Sequence, residues 1–170
     1  GFALTYSIEN SGNRYAVRCF HREVPEIQLN YAAISKKLKE LNSPYFVNFT
    51  YDHKGIVVGG QQFPIVKMDW VNGDTLGIYV DKIYKNRGEI EALRREFFKL
   101  STFIEASDIS HGDIQDLNVI CQKGKIKLID YDGMYVPSLP TGNGNEIGHK
   151  DFQHPLRNEK KFGPKMDRFS

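Results

Sequence analysis

Apolar and polar residues alternate twice within the first twenty positions, as Phe2, Leu4, Tyr6, Ile8 and then as Tyr15, Val17, Cys19. A period of two marks a half-buried strand. The turn cluster Asn10-Ser11-Gly12-Asn13 lies between, so the spacing predicts a β-hairpin. From Pro25, a residue suited to the first turn of a helix, the period lengthens. Ile27, Tyr31, Ile34, Leu38 and Leu41 recur at helical spacing, with Lys36, Lys37 and Lys39 on the other face. Two strands are then expected at 47–51 and 56–58, joined by an Asp52-His53-Lys54-Gly55 turn. A third, at 63–71, is almost continuously apolar, as an inner strand would be, and Asn72-Gly73-Asp74 ends it. Helical spacing takes over from about residue 75. Leu76, Tyr79, Val80 and Ile83 fit one helix; Ile90, Leu93, Phe97, Leu100 and Ile104 fit a longer one, with Glu91 and Arg95 as an i,i+4 pair. A compact hairpin follows, with strands at 118–121 and 126–130 around a Gln122-Lys123-Gly124-Lys125 turn. Residues 137–148 are rich in Gly, Pro and Asn and predict a long loop, of the kind that usually serves function. The fold class is therefore α+β, with a β-rich half at 1–71, a hinge near 69–74, and a mostly helical half at 72–170. Two such halves predict a cleft between them.

Composition narrows the function. Of 170 residues, 40% are apolar, enough for a sizeable core and against intrinsic disorder. The 23 basic and 21 acidic side chains are interspersed and leave a net charge of +2, which makes no electrostatic case for nucleic acid or a membrane surface. No apolar run is long enough for a membrane span. Cys19 and Cys121 stand alone with no C-x-x-C spacing, so they read as buried free thiols in a reducing, cytoplasmic setting. The opening Gly1 is not a natural start, and a trimmed chain is expected.

The densest chemistry is His111-Gly112-Asp113-Ile114-Gln115-Asp116-Leu117-Asn118, followed by Asp130-Tyr131-Asp132-Gly133. A hairpin brings its outer ends together, so Asn118 and Asp130 should be neighbours, with Asp113 on the loop just before. Carboxylate and amide oxygens in this number suit a hard cation such as Mg²⁺. A further carboxylate beside that site can orient a hydroxyl nucleophile. Taken singly, Asp113, Asn118 and Asp130 are ordinary turn-capping residues; their order and spacing give them weight. His111 reads as a core histidine. His149 and His154, even with His111 and Asp130, match no closed zinc spacing. Ser138 and Thr141 read as ordinary loop residues.

These residues resemble the eukaryotic-type protein kinase fold. His111-Gly112-Asp113 with Asn118 is similar to the catalytic loop H-R-D-x-x-x-x-N, and Asp130-Tyr131-Asp132 to D-F-G. Ala16-Val17-Arg18 sits where the third-strand A-x-K is expected, and Gly1-Phe2-Ala3-Leu4-Thr5-Tyr6 looks like the tail of the glycine-rich phosphate loop. Met68-Asp69-Trp70-Val71 resembles a gatekeeper and hinge. Gly148-His149-Lys150-Asp151-Phe152-Gln153-His154-Pro155 resembles the segment closing the activation loop, and Asp167 with Ser170 the start of the buried helix behind the catalytic loop. The dialect, H-G-D with D-Y-D-G-M-Y-V-P, is similar to a group of bacterial kinase-like proteins, some linked to stress-response or tellurite-resistance loci. The resemblance implies a two-lobed fold and an ATP- and Mg²⁺-dependent protein serine/threonine kinase. Asp113 would be the catalytic base, and Asn118 and Asp130 the Mg²⁺ ligands. Gly1, Ala16, Arg18, Met68, Asp69 and Val71 would bind the nucleotide. The implied partner is a protein substrate or a regulatory protein.

Four departures from the pattern stand out. Arg18 stands in place of lysine, a swap that changes both bulk and direction. The helix stripe Ile27, Tyr31, Ile34, Leu38 offers no glutamate to pair with it; Glu23 and Glu26 lie near the helix start and Glu40 near its end. Gln115 replaces the catalytic-loop lysine, and Asp132 and Leu156 replace the glycine of D-F-G and the glutamate of A-P-E. Arg18, Gln115 and the missing glutamate favour a second reading, a pseudokinase that binds nucleotide or scaffolds a partner. A third is a small-molecule phosphotransferase resembling aminoglycoside kinases. By the same resemblance the chain begins inside the glycine-rich loop and stops as the buried helix begins, so a truncated core with weak or no activity of its own is expected.

Overall fold

The computed structural model describes residues 3–20, 25–142, 144 and 146–169. Gly1, Phe2, Glu23 and Ser170 of the readings above lie outside them, as do the side chains of Glu26 and Ile27. The architecture is α+β. The chain divides into two compact units: one holds the residues up to Asn42 and Val47–Val71, the other Ser43–Phe46 and Asn72 onward.

In the first unit, β1 (Ala3–Asn10) and β2 (Asn13–Phe20) form the expected hairpin, and α1 (Pro25–Leu41) follows. β3 (Phe49–Val58) and β4 (Gln61–Asp69) complete an antiparallel sheet of order β1-β2-β4-β3. β4 is inner, as its apolarity implies. The expected turn at 52–55 is not one. β3 runs through it as a single strand, with a register irregularity between Asp52 and Ile56, where the Lys54 amide donates to Asp52 Oδ1 at 2.9 Å. The chain reverses at Gly59-Gly60 instead, whose φ values of 58° and 82° suit a two-residue hairpin turn. Two adjacent glycines there supply the paired left-handed conformation that Asp52-His53-Lys54-Gly55 would reach only with strain.

One face of this sheet carries Ala16, Arg18, Phe20, Phe49, Tyr51, Val66 and Met68 by register. Tyr31 of α1 stacks on Tyr51 (5.8 Å between centroids, 8° between planes) and meets Phe20 and Phe49 edge-on. Ile34 and Leu38 are buried one and two turns on, and Ser35 Oγ donates to the Phe49 carbonyl at 3.1 Å. The helical stripe read from the chain is thus the packed one, and each such side chain is worth about 1.5–3 kcal/mol of burial.

The second unit holds α2 (Leu76–Ile83), α3 (Arg87–Ala106) and a small sheet of β5 (Asp74–Thr75), β6 (Val119–Gln122) and β7 (Lys125–Leu128) in the order β5-β6-β7. Asn86 caps α3, its side chain accepting from the amides of Gly88 and Glu89. Glu91 pairs with Arg94 at 3.0 Å, one residue short of the expected Arg95. Glu96 is buried on α3 and holds Lys99 and, across to β7, Lys125 at 3.3 Å. Residues 43–46 belong here because Phe46 bridges Leu128, the Leu128 amide donates to the Tyr45 carbonyl, and both rings pack on Phe103. The 137–148 loop is pinned, since Gly142 and Gly144 donate to the carbonyls of Phe162 and Glu159 at 2.9 and 2.8 Å. Among the described residues no helix is long and apolar enough to cross a membrane. Cys121 is buried as expected, whereas Cys19 is half-buried; both are free.

Candidate functional site

The 109–118 segment leaves α3 through Asp108 (φ 53°) and dives into the core. Ile109, Ser110 and His111 are fully buried, and Ser110 exchanges both backbone hydrogen bonds with Tyr135. Gly112 (φ 81°) then turns the chain outward to the half-buried Asp113.

Behind this turn lies Asp167. Its Oδ2 accepts from the His111 amide at 2.5 Å and its Oδ1 from the Gly112 amide at 2.7 Å. Burial pushes the Asp167 carboxyl above the ordinary carboxylate range, against the pull of the His111 ring, the two amides and Arg157. The His111 ring is a structural strut. Its Nε2 lies 3.0 Å from the Ile129 carbonyl, which only accepts, so Nε2 carries the proton. The ring also meets Tyr131 edge-on at 5.9 Å.

Asp113 is braced from both directions. Asn118 Nδ2 donates to its carbonyl at 2.9 Å and to its Oδ2 at 2.8 Å, and Gln115 Nε2 adds a bond to Oδ2 at 3.1 Å. Its Oδ1 accepts from the His149 amide at 2.7 Å. That amide belongs to a strap, 148–153, which crosses the turn; Gln153 Nε2 also donates to the Gly112 carbonyl at 3.0 Å. Gly148 sits so close that an added Cβ would lie 2.6 Å from the Gly112 carbonyl and 2.9 Å from Asp113 Oδ1. Arg157 ties the far side of the strap, reaching the carbonyls of Asn158, Lys161 and Glu146 and Met166 Sδ.

Asn118 and Asp130 stand on adjacent chain ends, joined by the Ile129 amide donating to the Asn118 carbonyl at 3.0 Å. Asp130 is exposed and sits in the left-handed region, φ 64°. The next residue, Tyr131, is buried and donates its hydroxyl to the Leu128 carbonyl. Because Asn118 spends its Nδ2 on Asp113, its Oδ1 is the end left for a cation. An amide oxygen and a carboxylate fit Mg²⁺, which takes few protein oxygens and keeps water or phosphate for the rest. No larger cluster of His, Cys, Asp or Glu placed to hold a metal occurs among the described residues.

The nucleotide candidates fall on the first unit. Ala16 and Met68 are register partners, and Arg18, two residues along β2, shares their sheet face; the Arg18 guanidinium lies 6.0 Å from the Phe20 ring. The Asp69 amide donates to the Asn48 carbonyl at 3.1 Å, and Val71 closes the unit. Gly1 lies outside the described residues. A hollow of about 860 Å³ in this unit is on the opposite sheet face and contains none of them. In the second unit an open groove of about 920 Å³ runs along Phe97, Leu100 and Ile104 of α3 to Ile114, Gln115 and Phe152 beside the Asp113 turn.

Three contributors to the turn lie within segments singled out in the sequence but were given no role there: the His149 amide, the Gln153 side chain, and Asp116, whose Oδ1 accepts from the Gly77 amide. Asp167 could be found in the sequence only by resemblance. A scan against known protein families matches none.

Proposed function

We propose that this chain is the core of a two-lobed, protein kinase-like phosphotransferase that moves the γ-phosphoryl group of ATP, with Mg²⁺, to a serine or threonine of a protein. The observation that carries this reading is the bracing of Asp113 by Asn118, with Asp167 behind them. It is a carboxylate held next to an oxygen ligand by a turn whose amides are anchored to a buried acid.

In this reading Asp113 accepts or orients the proton of the attacking hydroxyl. Asn118 and Asp130 hold Mg²⁺, which would neutralise charge on the phosphates. Ala16, Met68, Asp69 and Val71 seat the base, and Arg18 meets phosphate in place of lysine. Such a site works by positioning and charge neutralisation rather than by covalent chemistry. Among the described residues Asp113 Oδ1 takes a single bond, from the His149 amide, which leaves an oxygen lone pair for a substrate hydroxyl.

A second reading, a pseudokinase that binds nucleotide or a partner protein without transfer, draws on Gln115. Its amide donates to Asp113 Oδ2, where a lysine would supply charge to the phosphoryl group. The phosphotransferase and the nucleotide-binding form of the pseudokinase both require a nucleotide. At ATP a hundredfold above its Kd, binding adds about 2.7 kcal/mol of stability, which for a domain of this size is a Tm rise of about 5–10 °C. We expect that rise in a thermal melt with Mg²⁺, and a smaller one with EDTA. An unchanged Tm under both conditions contradicts both nucleotide-binding readings and leaves a scaffold that binds a partner protein.

A further inference from the structure

The start of α2 is capped from outside the helix. Thr75, at the N-cap position, has extended backbone but makes no side-chain cap bond, and the first turn contains no acid. The Gly77 amide points instead at Asp116 Oδ1, 39 positions on. An added Cβ on Gly77 would lie 2.8 Å from that oxygen and 3.2 Å from the carboxyl carbon, so a side chain there would displace the carboxylate from the helix end.

Asp116 is three residues after Asp113 and two before Asn118, inside the single turn Asp116–Asn118, which closes with the Asn118 amide donating to the Gln115 carbonyl. Asp167 anchors this loop before Asp113, at the His111 and Gly112 amides. Asp116 anchors it after. The geometry points to Asp116 as a positioning residue: by capping α2 at Gly77 it fixes the turn that sets Asp113 against Asn118. This rests on the phosphotransferase reading. It predicts an effect on the transfer step rather than on nucleotide affinity, because the Asp116 carboxylate is held by the Gly77 amide and acts on Asp113 and Asn118 through the turn it belongs to. A shift of about 1 Å in a reacting group can cost about a hundredfold in rate, so a loosened turn should be visible in kcat.

Gly77→Ala distinguishes this role from general helix stability. Alanine is the better helix former, so propensity alone predicts a gain, whereas the close approach predicts displacement of Asp116 and a loss. The test compares the full-length wild type with Asp116→Ala, Asp116→Asn, Gly77→Ala and the Asp116→Ala/Gly77→Ala double variant. It measures kcat for phosphoryl transfer, Kd for Mg²⁺–ATP, and amide hydrogen exchange at Gly77 and over 113–118. Asp116→Ala should lower kcat at least tenfold with Kd within about twofold and speed exchange at both places. Asp116→Asn keeps an acceptor oxygen and should recover most of the loss. Gly77→Ala should cost nothing further once Asp116 is alanine, the mark of two changes acting on one contact. Unchanged kcat or unchanged exchange in Asp116→Ala overturns the proposal, as does a loss that Asp116→Asn does not recover. If the wild type transfers no phosphate, the phosphotransferase reading falls by itself. Exchange at Gly77 and 113–118 then shows whether Asp116 braces the turn.

Discussion

At the scale of single residues, Asp167 carries a structural duty that a near-isostere cannot meet. Two buried amides, of His111 and Gly112, each take one of its carboxylate oxygens. Asp167→Asn supplies a single acceptor and turns an NH₂ group toward the other amide, so one donor is orphaned. That should cost about 1–3 kcal/mol, read as a lower urea midpoint with an unchanged m-value. Cys121 gives a second test. Burial first, then the negative charges of Asp116 and Asp74, push its thiol from 9.0 up to about 11. The folded state therefore holds this proton more tightly than the unfolded chain does. The contribution is intact below pH 9 and lost as pH rises from 9 toward 11. Urea titrations across that window should show the loss in the wild type and a smaller one in Cys121→Ala. Equal slopes would mean the thiol is not shielded as the structure has it.

At the scale of elements, the strap over the Asp113 turn depends on Gly148. Its φ of 83° is one that a side chain adopts only with strain, and a methyl there meets the Gly112 carbonyl and Asp113 Oδ1. Gly148→Ala should cost about 1–3 kcal/mol and expose the His149 amide to exchange; wild-type stability with the amide still protected would contradict the contact. Much of the element order is legible from periodicity. The Tyr31, Ile34, Leu38 stripe, the inner β4, and the α2 and α3 helices all follow from side chains that must be buried on one face. The β3 error shows where local signals fail: Asp-His-Lys-Gly reads as a turn, yet pairing with β4 carries the strand through and Gly59-Gly60 takes the reversal. The Glu91–Arg94 pair differs for a similar reason, since two arginines within reach compete on geometry that spacing does not decide. Of the site, Asp113, Asn118 and Asp130 were legible as a cluster, but not the braces. The His149 amide belongs to the backbone, and Gln153, Asp116 and Asp167 reach their partners across 39 or more positions, where no local pattern points.

At the scale of the whole molecule, each unit has its own core. In the first, α1 packs on an antiparallel sheet. In the second, a fully buried group of Ile109, Val119, Leu128 and Val136 supports the turn that bears Asp113. On the proposed reading, the buried support holds the base, Asp113, while the exposed Asp130 lies on the edge where Mg²⁺ would bind. The departures at Arg18 and Gln115 make turnover, rather than binding, the point on which the account stands. The most direct test is transfer of labelled phosphate from γ-labelled ATP with Mg²⁺ to a generic protein acceptor, comparing the full-length wild type with Asp113→Asn under matched nucleotide saturation. The account predicts transfer by the wild type and its loss, by at least a hundredfold, in Asp113→Asn with ATP affinity retained. Equal transfer by the two proteins would contradict it.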